Sequence, residues 1–220
     1  MEKSNIGRKD IQGNYKIINK YYFIIFNKYR RPEPFDWYQE YSGIKDIISQ
    51  YMTKNDKILN IGCGNSKLSE DLSEEGYEDI TNIDFSNKVI NIMEQTYKEK
   101  FPKMKFQVMD VLDMKELANG SFNTVLDKGT LDCILCGDNS VPNAAKMMSE
   151  VFRVLAPGGH YMVISYGDPD VRKKYLETQP WAGLNVDKLA KPSAAVSSTI
   201  NADENDLNNF HYIYTMEKPK

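Results

Sequence analysis

Residues 58–66 read Ile58-Leu59-Asn60-Ile61-Gly62-Cys63-Gly64-Asn65-Ser66, and the rest of the chain is arranged around them. Apolar side chains at Ile58, Leu59 and Ile61 suit a short strand buried in a parallel sheet. Gly62 and Gly64 then allow a tight turn into a helix and a close approach of backbone to a ligand. Asp84 follows Gly64 by 84 − 64 = 20 residues. That is about the length that carries a chain through one helix and along the neighbouring strand, where a carboxylate can meet ribose hydroxyls. The stretch predicts a nucleotide cradle.

Upstream, Phe35-Asp36-Trp37-Tyr38 follows Pro32 and Pro34, and Ile44, Ile47, Ile48 and Tyr51 fall at i, i+3, i+4 and i+7, which predicts an amphipathic helix beside the first strand. Downstream, Leu68 and Leu72 with Gly76 as a stop predict a short helix whose positive N-terminal end favours a carboxylate or phosphate. A second strand runs to Asp84, and Ser86 caps a helix carrying Val89, Ile90, Met93 and Tyr97. Lys105 to Asp110 alternates as a third strand, a short helical piece reaches Leu117, and Asn119-Gly120 turns into a fourth strand, Ser121 to Asp127. Three strands thus deliver Asp84, Asp110 and Asp127 to one carboxyl edge, where open α/β sheets bind ligands. Met148, Val151, Phe152 and Leu155 form a helical stripe ended by Pro157-Gly158-Gly159, followed by a fifth strand at Tyr161 to Ser165. Asp168-Pro169 opens another helix, Leu184 to Leu189 reads as a sixth strand, and Phe210 to Met216 alternates as a last one. The polar stretch from Pro192 to Asn209 reads as a long exposed loop.

A length of 220 residues is expected to make one domain, 35–220, with residues 1–34 as an extension docked on it through the apolar run Tyr21 to Phe26. With 28 Lys+Arg against 31 Asp+Glu, the charge balance argues against nucleic acid or an anionic membrane as bulk partner. The start Met1-Glu2-Lys3-Ser4-Asn5 has no apolar signal-peptide core, and Tyr21 to Phe26 is far below the ~18 residues that span a bilayer, so the expected location is cytoplasmic. Cys63, Cys133 and Cys136, an odd number, are expected as free thiols. Cys133 and Cys136 form a CxxC, but with His160 and His211 the only histidines, no metal site is expected; His160 and His211 read as surface or packing residues.

Two readings share the glycine turn and the later acid: a dinucleotide dehydrogenase and an S-adenosylmethionine (SAM) methyltransferase. Lys67 stands where the third dehydrogenase glycine belongs and fits close helix-to-strand packing poorly. Asp110, at the end of the third strand, can meet an adenine amino group. The motifs Ile61 to Ser66, Asn82 to Ser86, Met109 to Asp113, Leu126 to Asp132 (L-D-K-G-T-L-D), Glu150 to Gly159 and Phe210 to Tyr214 together resemble one group of class I methyltransferases. It is the methyltransferase-like family containing the elongation factor 1A lysine methyltransferases, including the domain associated with endothelin-converting enzyme.

The resemblance runs from about Phe35 onward and implies a Rossmann-like, doubly wound α/β sheet of seven strands, mostly parallel with an antiparallel last strand. It implies SAM as donor, S-adenosylhomocysteine (SAH) as product and a protein lysine as acceptor. Carried over residue by residue, Gly62, Cys63 and Gly64, with Asn65 and Ser66, would lie by the methionine part. Asp84 would hold the ribose, Phe85 would flank adenine, and Asp110 and the Val111 backbone would meet its ring. Asp127 and Lys128 would lie by the methyl group, and Trp37 and Tyr38 resemble the aromatic segment that closes over the cofactor. Asp127 or Asp132 could orient the amine, with Tyr38 in an aromatic wall around it; equally, Asp127, Lys128 and Asp132 could be an ion-pair cluster beneath the site. The family's opening, Tyr-Trp, acids, then Arg-Tyr, is echoed only by Tyr29-Arg30, a departure on the acceptor side. Two other functions share these features. One is a non-catalytic subunit of a larger assembly. The other is a small-molecule or nucleic-acid methyltransferase, against which the missing Asn-Pro-Pro-Tyr type motif counts.

Overall fold

A computed structural model of the chain describes residues 34–192 and 209–220. The expectations placed on residues 1–33 and 193–208 (the docked extension, the echo at Tyr29-Arg30 and the interior of the late loop) lie outside the described residues. Phe35–Lys220 form one compact unit.

The order of elements is α1 (Tyr41–Ile48), β1 (Ile58–Ile61), α2 (Leu68–Glu74), β2 (Ile80–Asp84), α3 (Asn87–Tyr97), β3 (Lys105–Val108), β4 (Phe122–Lys128), α4 (Thr130–Cys136), α5 (Ser140–Val154), β5 (Leu155–Ser165), α6 (Pro169–Leu176), β6 (Gly183–Ala190) and β7 (Phe210–Glu217). The seven strands form one sheet in the order β3-β2-β1-β4-β5-β7-β6. Neighbours from β3 to β5 pair parallel, and β7 pairs antiparallel with both β5 and β6. Only β7 therefore runs backwards. The chain order reverses between β1 and β4, which opens a crevice at the carboxyl edge.

Alternation along the strands builds two cores. Leu59, Ile61, Val125, Tyr161, Val163 and Tyr214 pack with Leu131, Met147, Met148, Val151 and Leu176 of α4, α5 and α6. Ile58, Ile80, Leu126, Met162 and Ile213 pack on the other face with Ile44, Ile48, Leu68, Leu72, Val89 and Met93 of α1, α2 and α3. Local signals set the helix starts. Ser86 Oγ accepts the Val89 N–H at 3.4 Å, and Asp168 Oδ1 accepts from Asp170 and Val171 at 2.9 and 3.2 Å, with Pro169 opening α6.

Three expected boundaries move. β3 stops at Val108; Asp110 lies beyond it in a turn, its Oδ1 accepting the Leu112 N–H at 2.8 Å. The expected helical piece before Leu117 is a run of turns, held from α5: Arg153 donates to the Leu117 and Met114 carbonyls at 2.7 Å, and Glu150 accepts the Met114 N–H at 2.7 Å. The stripe ending at Leu155 also stops a residue early, because Leu155 is already extended and begins β5. Pro157-Gly158-Gly159 does not end the helix but lies inside the strand's irregular first half. A Cβ on Gly159 would stand 2.7 Å from the Asn123 carbonyl oxygen, so glycine lets β4 and β5 close together there.

Candidate active site

The carboxyl edge gathers the glycine turn, the strand-end acids and the Phe35 to Gln39 strap. β1 ends at Ile61, and Gly62 and Gly64 follow with φ of 60° and 53°, the left-handed region that glycine enters without strain. Thr130 Oγ1, opening α4, donates to the Ile61 carbonyl at 2.9 Å and would stand 2.1 Å from a Cβ on Gly62. Gly62 thus packs on α4, whereas a Cβ on Gly64 would meet nothing within 4 Å. The turn is closed beneath and open above, as a cradle must be.

Asp84, at the end of β2, accepts the Gly64 N–H on Oδ2 at 3.0 Å and the Ser86 N–H on Oδ1 at 2.8 Å. Burial raises its carboxyl above the ordinary range, and those two amides offset part of the rise. The structure thus brings together Gly64 and Asp84, the two residues whose spacing first suggested a nucleotide. Phe85 leaves 74 % of its surface exposed, an apolar face beside the acid that a flat ring would cover. Asp110 is exposed one strand further out, and Val111 is buried beside it. Cys63 is buried, and burial pushes its thiol up, so it acts as a small packing group under the turn.

The residues expected near the methyl group each have partners within the chain. Asp127 is fully buried: its oxygens accept the Thr130 N–H at 2.7 Å, the Leu131 N–H at 3.1 Å and the Tyr161 hydroxyl at 2.8 Å. Burial raises its carboxyl to about 7, against the lowering effect of the Tyr161 hydrogen bond. It holds the start of α4, with no surface for an approaching amine. Asp132 is buried as well, paired with Arg172 Nη2 at 2.7 Å and bonded by the Ser165 hydroxyl at 2.6 Å. Lys128 directs its ammonium to Asp36 Oδ1 at 2.6 Å and to the Trp37 carbonyl at 3.2 Å. As placed, the three turn to different partners: Lys128 to Asp36, Asp132 to Arg172, and Asp127 to Tyr161 and the α4 amides.

Sequence reading passed over three residues at this edge. Asp36 receives hydrogen bonds from Lys128, from Ser66 Oγ and from the Lys67 N–H at 3.3 Å, so it occupies the start of α2 that had been expected to face a ligand anion. Burial pushes the Asp36 carboxyl up, but the Lys128 ammonium and these hydrogen bonds outweigh it and hold it below its ordinary value. Tyr166, after β5, and His211, at the start of β7, lie 6.1 and 5.0 Å from the Tyr38 ring, centroid to centroid, and Trp37 lies 6.0 Å from it on the other side. Burial, with the nearby Lys191 charge, lowers the His211 imidazole to about 4, so it is neutral near pH 7. Asp36 belongs to the Phe35-Asp36-Trp37-Tyr38 motif already singled out, but nothing in the sequence links it to Lys128, and Tyr166 and His211 carry no local signal.

Fold and site together define an open, doubly wound α/β domain with its crevice between β1 and β4. The profile of the methyltransferase domain family matches residues 52–213, and the chain belongs to that family. Among curated relatives it is 40 % identical over 155 residues to the bovine eEF1A lysine and N-terminal methyltransferase, across 70 % of this chain and 22 % of that protein. The human protein of the same name gives the same identity and coverage. The bovine EEF1A lysine methyltransferase 4 is 32 % identical over 150 residues, 64 % of this chain and 58 % of that protein. The chain thus spans about a fifth of the length of the first two, 22 % in each case. Among solved structures, a SAM-dependent methyltransferase from Methanosarcina mazei aligns with TM-score 0.57 at 20 % identity, covering 84 % of this chain and 99 % of that one. The Haemonchus contortus phosphoethanolamine N-methyltransferase 2 in complex with SAM aligns with TM-score 0.60 at 14 % identity, covering 82 % and 53 %. These identities support the shared fold alone.

Proposed function

We propose that this chain transfers a methyl group from SAM to a lysine side chain of a protein, with a translation elongation factor as the substrate type. The observation that carries the reading is the division of the carboxyl edge. Gly62, Gly64, Asp84, Phe85 and Asp110 occupy the half built by β1 to β3, and the rings of Tyr38, Tyr166 and His211 gather over the half built by β4, β5 and β7. The relatives' names support the acceptor class.

The residues fit the donor. Gly64 leaves open space at the turn, Asp84 is fixed by two amides so that its remaining lone pairs can accept ribose hydroxyls, and Phe85 offers an uncovered face for adenine. Asp110 would accept the adenine amino group beside the Val111 backbone. The donor supplies, when bound, an activated methyl on a sulfonium. The chain's task is then to align the amine and exclude water. An ammonium of ordinary pKa ≈ 10.4 must shed a proton first, and the aromatic wall would surround and orient the amine. Because Asp127 and Asp132 are buried and committed, the reading assigns catalysis to positioning, without a dedicated carboxylate base.

Calorimetry of the purified protein against SAM and SAH tests the donor half. Asp84→Ala, which removes an ionised acceptor of about 1.5–3 kcal/mol per hydrogen bond, is expected to weaken binding by about 10- to 100-fold or more. Unchanged binding would overturn the assignment. Transfer of labelled methyl into a cell lysate, followed by hydrolysis, is expected to yield labelled methyl-lysine in a discrete protein band. Donor binding with no labelled protein would overturn the catalytic reading.

A further inference from the structure

Four consecutive residues, Asp36 to Gln39, cross the crevice and are held at several points along the sheet edge. Asp36 receives hydrogen bonds from Ser66 and Lys67 at the glycine turn and from Lys128 at the end of β4. The Trp37 carbonyl accepts from the same ammonium. The Tyr38 ring lies on Gly129, where a Cβ would stand 3.2 Å from Cε2, and Gly129 has a left-handed φ of 90°. Gln39 Nε2 donates to the Ala190 carbonyl at 2.8 Å and lies 3.3 Å from His211 Nδ1.

Two details separate this from ordinary loop packing. Lys128 and Asp36 retain only 5 % and 14 % side-chain exposure, and a buried charge pair is a costly way to attach a surface segment. Burial lowers the Lys128 ammonium below its ordinary value despite the Asp36 charge, while the same pairing holds the Asp36 carboxyl below its own. In addition, Tyr38 has φ of 65°, a conformation that a non-glycine residue holds only when its surroundings impose it. The backbone kink aims the ring at Gly129, between the donor half and the aromatic half of the edge.

We propose that Asp36 and Lys128 are positioning residues that latch the strap across the crevice, coupling the glycine turn that meets the donor to the aromatic wall that meets the acceptor. Ser66 is the joint, since its hydroxyl donates to Asp36 and accepts the Leu68 N–H at 3.1 Å. Pulling Asp36 away would loosen the glycine turn as well as Trp37 and Tyr38. The donor-binding consequence rests on the methyltransferase reading; the latch does not.

The chain's only two tryptophans are Trp37 and Trp181, so a Trp181→Phe background makes Trp37 a fluorescent reporter of the strap. In that background we would compare Lys128→Met, Asp36→Asn, their double variant and Ser66→Ala, with circular dichroism to establish folding. Acrylamide quenching of Trp37 is expected to rise about two-fold or more in Lys128→Met and in Asp36→Asn. The double variant is expected to resemble the single ones, since either change already opens the latch. SAM affinity by calorimetry should fall roughly ten-fold in each single variant without falling further in the double one, and Asp36→Glu should restore part of it. Ser66→Ala, which leaves no unpaired charge, should weaken affinity by a few-fold. Unchanged quenching in folded Lys128→Met and Asp36→Asn would overturn the latch, as would additive losses in the double variant. If the unmodified protein bound no SAM while quenching still rose as expected, the donor reading would fall and the latch would stand.

Discussion

Gly62 and Gly64 look alike in sequence, but the structure uses them for different purposes. Both have positive φ, so either substitution by alanine incurs a left-handed penalty of about 1–2 kcal/mol. Gly62→Ala must also displace Thr130 Oγ1, whereas Gly64→Ala meets open space. Urea denaturation should therefore show Gly62→Ala costing about 1–3 kcal/mol more than Gly64→Ala, and Gly64→Ala should weaken SAM binding while leaving stability nearly at the φ penalty alone. Equal stability losses would show that the Thr130 contact is soft. At this scale the pairing of Gly64 with Asp84 was legible in the sequence, because a glycine turn and an acid one βα unit later are local signals. The settings of Asp127 and Lys128 were not. A strand-end acid such as Asp127 announces its edge, but whether it faces crevice or core depends on Tyr161, 34 positions away, and on the α4 amides. Asp36 and Lys128 are 92 positions apart, beyond any spacing rule.

Among the elements, α4 and α6 are joined by an ion pair buried at the end of β5. Asp132 meets Arg172 at 2.7 Å, and both bond the Ser165 hydroxyl, at 2.6 and 3.0 Å. Arg172→Met strands a buried carboxylate and is expected to cost about 3–5 kcal/mol. Asp132→Leu combined with Arg172→Met should recover most of that loss, because an apolar pair of similar volume needs no desolvation. Denaturation of single and double variants checks it; a double variant as unstable as Arg172→Met alone would mean that Ser165 and the Tyr166 amide carry the junction. Most elements were readable from period and caps: Ser86 and Asp168 start helices where expected, and the β2 and β7 patterns match their strands. The misreadings share one cause. The turns before Leu117 are held by Arg153 and Glu150, and the strand through Pro157-Gly158-Gly159 by backbone hydrogen bonds between Gly158, Gly159 and Lys218 at 2.9 Å, tertiary contacts that override local preference.

For the molecule as a whole, two buried groups give its stability opposing dependences on pH. The His211 pKa is depressed from 6.5 to about 4, so the unfolded chain binds that proton more readily and stability rises with pH from about 4 to 6.5. The Asp127 pKa is raised from 3.8 to about 7, so the folded chain holds that proton more tightly and stability falls as pH rises across that window. Between about pH 4 and 6.5 the two contributions nearly cancel, so relative to the unmodified protein His211→Phe should tilt stability toward a decline with rising pH, and Asp127→Asn toward a rise. Urea midpoints measured across that range check both signs. The parallel sheet was legible from the βα alternation, and the doubly wound order with its backward last strand came with the family resemblance. What neither revealed is that reversing β7 brings its first residues, His211 among them, to the crevice.

The same reversal leaves the connection between β6 and β7 beginning and ending at the crevice edge, where the Lys191 N–H and the Asn209 carbonyl close it at 2.9 Å. Residues added or deleted between those two positions shift no strand register, and closing a longer loop costs only slowly more. The length of that one connection can therefore change without disturbing the strands that carry the glycine turn and Asp84.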